Sequence, residues 1–285
     1  MLVLAGCSAN ANPAGEKSKE TKEIEVTEGG DRIIATTVAV TEIMDALEID
    51  LIGIPTSYKD LPQRYEGLTE IGNPMSPDME IVLSLKPTEV MSVSTLKSDL
   101  DTIFSDRNVN ASYLNLQTLE GMQNEIVAIG ERYDRQEQAA AIIRKFEEKA
   151  EEIELKKAGQ DQPTVLILLG VPGSYLVATE NSYMGDLVKQ AGGKNVITGE
   201  SVEFLASNTE YLQKSNPDII LRAAHGMPKE VVEMFDKEFK ENDIWKHFNA
   251  VKNDRVYDLE ETLFGTTANL AATEALDELL EMLYH

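Results

Sequence analysis

A charged stretch near the middle of the chain separates two similar halves: Glu131-Arg-Tyr-Asp-Arg-Gln-Glu-Gln-Ala-Ala-Ala-Ile-Ile-Arg-Lys-Phe-Glu-Glu-Lys-Ala-Glu-Glu-Ile-Glu-Leu-Lys-Lys157. It contains no Gly or Pro and few β-branched residues, so little in it opposes a helix. Its apolar side chains recur every three or four positions, which places them on one narrow helical face. They are Ala139, Ile142, Ile143, Phe146, Ala150 and Ile153. The pattern predicts one long helix.

On both sides of this helix, short apolar runs alternate with helical patterns. Before it, predicted strands cover residues 32–35, 50–54, 90–93 and 113–116, with helices at 43–47 and 121–133. After a break at 159–163, predicted strands cover 164–169 and 218–221, with helices at 183–190 and 275–283. Strands that alternate with helices form a mostly parallel sheet.

The predicted fold class is therefore α/β, with two Rossmann-like lobes joined by one long helix and a ligand cleft between the lobes. A single eightfold barrel does not fit, because the central helix interrupts the strand–helix repeat. The length of 285 residues agrees with two domains. The predicted bounds are 1–30 for an N-terminal tether, 31–130 for the first lobe, 131–160 for the linker helix and 161–285 for the second lobe.

The composition excludes several classes of function. The chain has 26 Lys and Arg against 50 Asp and Glu, a net charge of −24, and so acidic a surface repels a phosphate backbone. Nucleic acid is therefore not an expected partner. The single cysteine, Cys7, allows neither an internal disulfide nor a cysteine-rich metal site. No apolar run is long enough to span a membrane.

The start of the chain predicts a lipid anchor. Leu4-Ala-Gly-Cys7 matches the bacterial lipobox, in which the cysteine is lipidated and becomes the mature N-terminus. The polar residues 8–30 that follow are typical of a flexible tether. The apolar segment before Cys7 is shorter than a complete secretory signal, so the given start is expected to truncate it. We expect an extracytoplasmic protein held at the cell membrane by a lipid at Cys7.

Two loop residues are candidate ligands. His225 follows the strand at 218–221 and precedes Gly226, a position where open α/β sheets place ligand sites. The alternative is an ordinary hydrogen-bonded loop histidine. Met75 lies between Pro74 and Pro77, which keep it out of a helix interior or central strand. A loop methionine packed under its own loop is the alternative.

Enzyme signatures are not found in the chain. It contains no G-x-x-x-x-G-K-[ST], G-x-S-x-G, H-E-x-x-H or G-x-G-x-x-G sequence. Of the three histidines, His285 is the last residue, and His247 adjoins an apolar face that suggests a surface or structural role. The chain is therefore not expected to be an enzyme.

Several longer strings carry a resemblance to a known family. They are Arg32-Ile-Ile-Ala-Thr-Thr-Val-Ala-Val-Thr, Pro55-Thr-Ser-Tyr-Lys, Ile71-Gly-Asn-Pro-Met-Ser-Pro, Leu168-Leu-Gly-Val-Pro-Gly-Ser-Tyr-Leu-Val-Ala-Thr179, Arg222-Ala-Ala-His-Gly-Met-Pro228 and Asn242-Asp-Ile-Trp-Lys-His-Phe248. Together with the lipobox and the linker helix, they resemble the haem-receptor lipoproteins of the iron-regulated surface determinant (Isd) ABC importers of Gram-positive bacteria. That family belongs to the substrate-binding proteins with a helical backbone (class III).

The resemblance implies a haem-binding protein that delivers haem to a membrane permease for iron acquisition. It implies Met75 and His225 as the two axial ligands of the iron, one from each lobe. Because the chain lacks C-x-x-C-H, haem b is expected to bind without a covalent bond. For the propionates we expect the backbone N–H groups at Val38 and Ala39, with Tyr58 and Lys59 nearby. Candidate apolar walls for the porphyrin are Val38, Tyr175 and Phe264.

The same resemblance suggests partners. Glu80 and Glu210 each precede a proline by seven residues in matching segments of the two halves. In this importer class one acidic residue on each lobe pairs with arginines of the permease, so both are docking candidates, and the alternative is two ordinary acids on solvated helices. A haem-donating surface protein is the expected upstream partner, and the chain is expected to be a monomer.

Two other functions remain open at this point. The same fold could bind a ferric siderophore or cobalamin, although the chain has one Trp and few aromatic residues. An extracellular haem-using enzyme is the alternative from another class, but a methionine and a histidine on one iron leave no open position for oxygen.

Overall fold

The computed structural model describes residues 30–207, 212 and 215–285. Cys7 and Glu210 lie outside these residues, so the predicted lipidation and one of the two predicted docking acids have no structural description. The described part confirms the predicted class, with α/β units on both sides of a long central helix. Among its helices, none combines the length and apolar character that a bilayer crossing needs.

The first lobe is built around a five-stranded parallel sheet. The strands of this sheet are β1 (Ile33–Ala35), β2 (Gly53–Ile54), β3 (Thr69–Glu70), β6 (Glu89–Val93) and β7 (Ala111–Leu114). Two further strands, β4 (Gly72–Asn73) and β5 (Ser76–Pro77), form a small hairpin. Its helices are α1 (Val38–Ala46), α2 (Met79–Ser84) and α3 (Lys97–Ser105), with short 3-10 turns at Gln63–Tyr65 and Ser94–Leu96. The strand order is β3-β2-β1-β6-β7, and β4 pairs with β5 in the separate hairpin.

The strand order contains a switch point, which predicts where a ligand site would lie in this lobe. The chain leaves β1 toward β2 on one side and returns to β6 on the other, so the switch in direction lies between β1 and β6. In open α/β sheets the crevice beyond such a switch point is the ligand site. Helix α1 begins at this edge, and its N-cap residue Thr37 accepts a hydrogen bond from the Val40 N–H at 3.3 Å.

Two helices connect the lobes, and the sequence predicts both of them, at 121–133 and 131–157. They are α4 (Leu119–Arg132) and α5 (Gln136–Lys157). The predicted single helix over 131–157 is wrong at its start, because Asp134 has a left-handed backbone with φ of 55° and breaks the path. The helices then pack closely: a Cβ on Gly130 would lie 2.7 Å from the Cβ of Ala139. Pattern spacing alone does not reveal this reversal.

The second lobe repeats the arrangement with a mixed sheet. Its strands are β8 (Thr164–Val171), β9 (Ser174–Ala178), β10 (Lys194–Asn195), β11 (Phe204–Ala206), β12 (Ile219–Ala224) and β13 (Val256–Leu259). Its helices are α6 (Tyr183–Gln190), α7 (Pro228–Glu241), α8 (Asn249–Lys252) and α9 (Ala272–Tyr284), with a 3-10 turn at Trp245–His247. The order is β11-β9-β8-β12-β13, with β10 also pairing β8. The β8–β12–β13 pairs are parallel, and β9 and β11 form an antiparallel edge.

The apolar core runs from one lobe into the other. Alternate residues of β8 face opposite sides of the sheet, so Val165 and Ile167 belong to one cluster and Leu166 and Leu168 to another. The first of these clusters continues through α4 and α5 to the face of the first sheet that carries Ile33. The two lobes therefore share one continuous core at the side of the connecting helices.

Candidate functional site

His225 stands just beyond the carboxyl end of β12. Its backbone N–H donates to the carbonyl of Gly170 at 2.9 Å, which extends the pairing with β8 by one residue. Gly226 and Met227 then take positive φ values of 67° and 49°, and Pro228 begins α7. This sharp turn leaves the imidazole 52% exposed. The structure therefore presents His225 as an accessible side chain on a backbone held in place by the sheet.

A carboxylate that sequence reasoning missed lies beside this histidine. Glu261 follows β13, the neighbour of β12, and its side chain is only 8% exposed. Its Oε1 accepts a hydrogen bond from the Gly226 N–H at 3.1 Å and lies 3.8 Å from the His225 Nδ1. Among 50 acidic residues nothing marks Glu261 in composition. The preceding strand, β13, contains Asp258 and is not a continuous apolar run, so it gives no signal of the kind that singled out His225.

Two predicted residues reach the same carboxylate from the first lobe. The hydroxyl of Tyr58 donates to Glu261 Oε1 at 2.5 Å, although the tyrosine is 71% exposed overall. The Nζ of Lys59 lies 4.0 Å from the same oxygen and 3.5 Å from the Glu261 carbonyl oxygen. Partial burial, the hydrogen bond to Glu261 and the charge of that carboxylate raise the pKa of Tyr58 to about 12. The structure thus brings Tyr58, Lys59 and His225 together around Glu261.

Met75 occupies the turn of the hairpin between β4 and β5. Its backbone N–H donates to Asn73 Oδ1 at 2.9 Å, and Asn73 pairs with Ser76 across a two-residue turn that holds Pro74 and Met75. The side chain of Met75 is 61% exposed. A proline and an Asx turn make the loop stiff while the thioether stays accessible, which suits a soft ligand for a metal.

The predicted anion site lies at the start of α1. Val38 and Ala39 are its first two residues, both half-buried, and no acidic side chain lies in the first turn. Unpaired N–H groups at a helix start favour anions. Glu42 lies one turn further along α1. Burial raises its pKa, and the nearby charge of Lys59 opposes that shift. The positive charge of Lys59 therefore lies close to two partly buried carboxylates, those of Glu42 and Glu261, and favours their charged forms.

Three further predicted residues, Tyr175, Phe264 and Glu80, lie in the described part of the chain. Tyr175 on β9 is half-buried against Phe235 and Trp245, with ring centroids 5.9 and 6.2 Å apart. Phe264 is buried in the apolar core that the two lobes share. Glu80 is exposed in the first turn of α2, as a docking residue requires.

Comparison with known proteins identifies the family of this chain. A family model described as a periplasmic binding protein matches residues 33–263. The high-affinity heme uptake system protein IsdE of Staphylococcus aureus (strain Newman) is 47% identical over 285 residues, which is 100% of this chain and 94% of that protein.

Two solved structures superimpose closely. The crystal structure of S. aureus IsdE complexed with heme has a TM-score of 0.86 and 50% identity, over 90% of this chain and 100% of that chain. An ABC transporter substrate-binding protein from Listeria monocytogenes EGD-e has a TM-score of 0.84 and 57% identity, over 89% and 98%. The chain therefore belongs to the periplasmic binding protein family, in the branch that includes the staphylococcal protein IsdE.

Proposed function

We propose that this chain is the haem-binding component of an ABC importer, which receives haem outside the cytoplasm and delivers it to a membrane permease. The observation that carries the proposal is the full-length likeness to a protein named for heme uptake and to a structure that holds heme. The relatives are binding proteins, and the proposal contains no catalytic step. Haem is cargo here, held without a covalent bond.

Met75 and His225 are the proposed axial ligands of the iron. Each is an exposed side chain on a stiffened loop, and each follows the carboxyl edge of its own sheet. A thioether and a neutral imidazole give a six-coordinate iron with no open position. Since one ligand comes from each half of the chain, bound haem would bridge the lobes.

The haem propionates require local positive potential in a chain of net charge −24. The start of α1 supplies N–H groups at Val38 and Ala39, and Lys59 supplies a charge. The hydroxyl of Tyr58 is a further donor once it leaves Glu261. Val38, Tyr175 and Phe264 remain the proposed apolar walls for the porphyrin.

The partners follow from the importer role. Glu80 and Glu210 are the proposed contacts with basic side chains of the permease, and Cys7 is the proposed site of the lipid that keeps the chain near it. An upstream surface protein would supply the haem, and the chain would act as a monomer.

A hemin titration with four variants tests the proposal. The wild type should take up one equivalent, and Met75→Ala and His225→Ala should each change the Soret and charge-transfer bands. His247→Ala removes an exposed histidine elsewhere in the second lobe and should leave the spectrum unchanged. Met227→Ala removes the other exposed loop methionine near His225.

Three results would overturn parts of the proposal. An unchanged spectrum for His225→Ala removes the histidine assignment. If Met227→Ala changes the spectrum and Met75→Ala does not, the thioether ligand is Met227 and not Met75. No uptake of hemin, with uptake of a ferric siderophore or cobalamin instead, replaces the cargo and keeps the importer role.

A further inference from the structure

The structure aligns His225 and Glu261 through the register of two parallel strands. Arg222 pairs with Asp258, and Ala223 with Leu259, along β12 and β13. His225 and Glu261 each lie two residues beyond that last pair. The same step along both strands carries them to one edge of the sheet, where the Glu261 Oε1 lies 3.8 Å from the imidazole Nδ1.

The carboxylate is held more firmly than the histidine it faces. Glu261 is 8% exposed, whereas His225 is 52% exposed. The Gly226 N–H and the Tyr58 hydroxyl donate to Oε1 at 3.1 and 2.5 Å, and Lys59 offsets the buried charge. The 3.8 Å separation is longer than a hydrogen bond, and the exposed imidazole has room to rotate and shorten it.

We propose that Glu261 is a positioning residue for His225. A carboxylate beside Nδ1 favours the tautomer that carries its proton on Nδ1. The lone pair of Nε2 then points away from Glu261, free to bind a metal, and the imidazole becomes a stronger donor. This inference rests on the proposed function, because it names Nε2 of His225 as the nitrogen that meets the haem iron.

The first test reads the tautomer without haem. Long-range ¹H–¹⁵N NMR of the haem-free chain at about pH 8.5, two units above the ordinary imidazole pKa, distinguishes the two tautomers. His225 should carry its proton on Nδ1 in the wild type. Glu261→Gln, which keeps the side-chain shape, and Glu261→Ala should both shift the population toward the Nε2–H form.

A matched pair within the chain provides the control. Glu281 lies 3.3 Å from Nε2 of His285, and both side chains are more than 70% exposed. Glu281→Gln should leave the His225 signals unchanged. In every variant the signals of the other histidines report whether the fold is intact.

The second test measures the reduction potential of the bound haem and the rate at which it is released. Loss of the carboxylate weakens the donor strength of the imidazole, so Glu261→Gln should raise the reduction potential of the haem and speed haem release about ten-fold. Glu281→Gln should do neither.

An unchanged His225 tautomer in Glu261→Gln would overturn the inference, even if haem still binds. By contrast, His225→Ala without a spectral change would overturn the proposed ligand itself, whatever the NMR result. The NMR experiment needs no haem, so the two failures are distinguishable.

Discussion

Removing the charge of Asp258 should destabilise the chain far more than removing the charge of Asp236, although both carboxylates contact the same guanidinium. Arg222 on β12 is buried and makes a bidentate pair with Asp258, with distances of 2.7 and 2.6 Å. Its Nη2 also lies 3.0 Å from Asp236 on α7. The rings of Phe235 and Phe239 lie 5.6 and 5.2 Å from the guanidinium carbon and keep water from it.

The expected magnitudes follow from burial. Asp236 is 64% exposed, so water replaces it readily, and Asp236→Asn should cost about 0.5 kcal/mol. Asp258 is 39% exposed and makes both short bonds, so Asp258→Asn should cost about 2 kcal/mol. The double variant leaves a buried cation with no carboxylate and should cost about 4 kcal/mol. That is more than the two single costs together, because each acid partly compensates for loss of the other.

Urea unfolding followed by circular dichroism measures these free energies. One set of four variants is compared. It contains the two single variants, the double variant and Arg222→Met, which removes the cation but keeps an apolar stem. Equal costs for Asp236→Asn and Asp258→Asn would refute the reasoning, because burial would then not decide the energy. Strict additivity in the double variant would refute the shared-compensation argument.

Two further predictions concern the first lobe and the connecting helices. Burial raises the pKa of Glu89, but hydrogen bonds from Tyr133 and Arg132, at 2.5 and 2.7 Å, outweigh it and hold the pKa below its usual value. The stability that Glu89 contributes is therefore complete above the unfolded pKa of about 4.3 and is lost as pH falls through the lower folded pKa. Glu89→Gln should lower the Tm at pH 7 and lose that effect in strong acid, and a constant difference across pH would contradict this. Gly130→Ala should cost about 2 kcal/mol, because its Cβ would lie 2.7 Å from the Cβ of Ala139. Ala139→Gly in the same chain should recover part of that loss, and no recovery would contradict the steric explanation.

The sequence predicts the buried strands well because they are parallel. Strands covered on both faces appear as continuous apolar runs, and β1, β6 and β12 are buried at every residue. The predicted helices at 121–133 and 131–157 overlap, so the sequence does not locate the break that the structure has at Asp134. The antiparallel edge formed by β9 and β11 was missed as well, since short edge strands carry little pattern of their own.

The candidate site was predicted only in part, for a related reason. The local settings of His225 and Met75, one after a strand and one between prolines, make them candidates, and only the family resemblance selects them as ligands. Glu261 acquires its place only when β13 pairs with β12 and Tyr58 meets it from the other lobe. Neither contact leaves a trace in the residues around position 261, so no local rule distinguishes this acid from the others.

On the strand pair β12–β13, the residues that stabilise the fold and the residues proposed to bind the ligand lie only three positions apart. Arg222 and Asp258 are paired inside the sheet, where their charges hold the strands to α7 and touch no proposed cargo. His225 and Glu261 lie at the end of the same two strands, where the side chains meet each other and the first lobe. A substitution at 225 should therefore alter ligand binding with little effect on unfolding, because the imidazole is half exposed and the backbone hydrogen bond to Gly170 remains. A substitution at 222 or 258 should instead lower the free energy of unfolding. It should leave ligand binding unchanged as long as the two strands still hold the imidazole of His225 in place. The fold thus supplies a rigid edge, and the proposed ligand His225 and its neighbour Glu261 lie just beyond that edge.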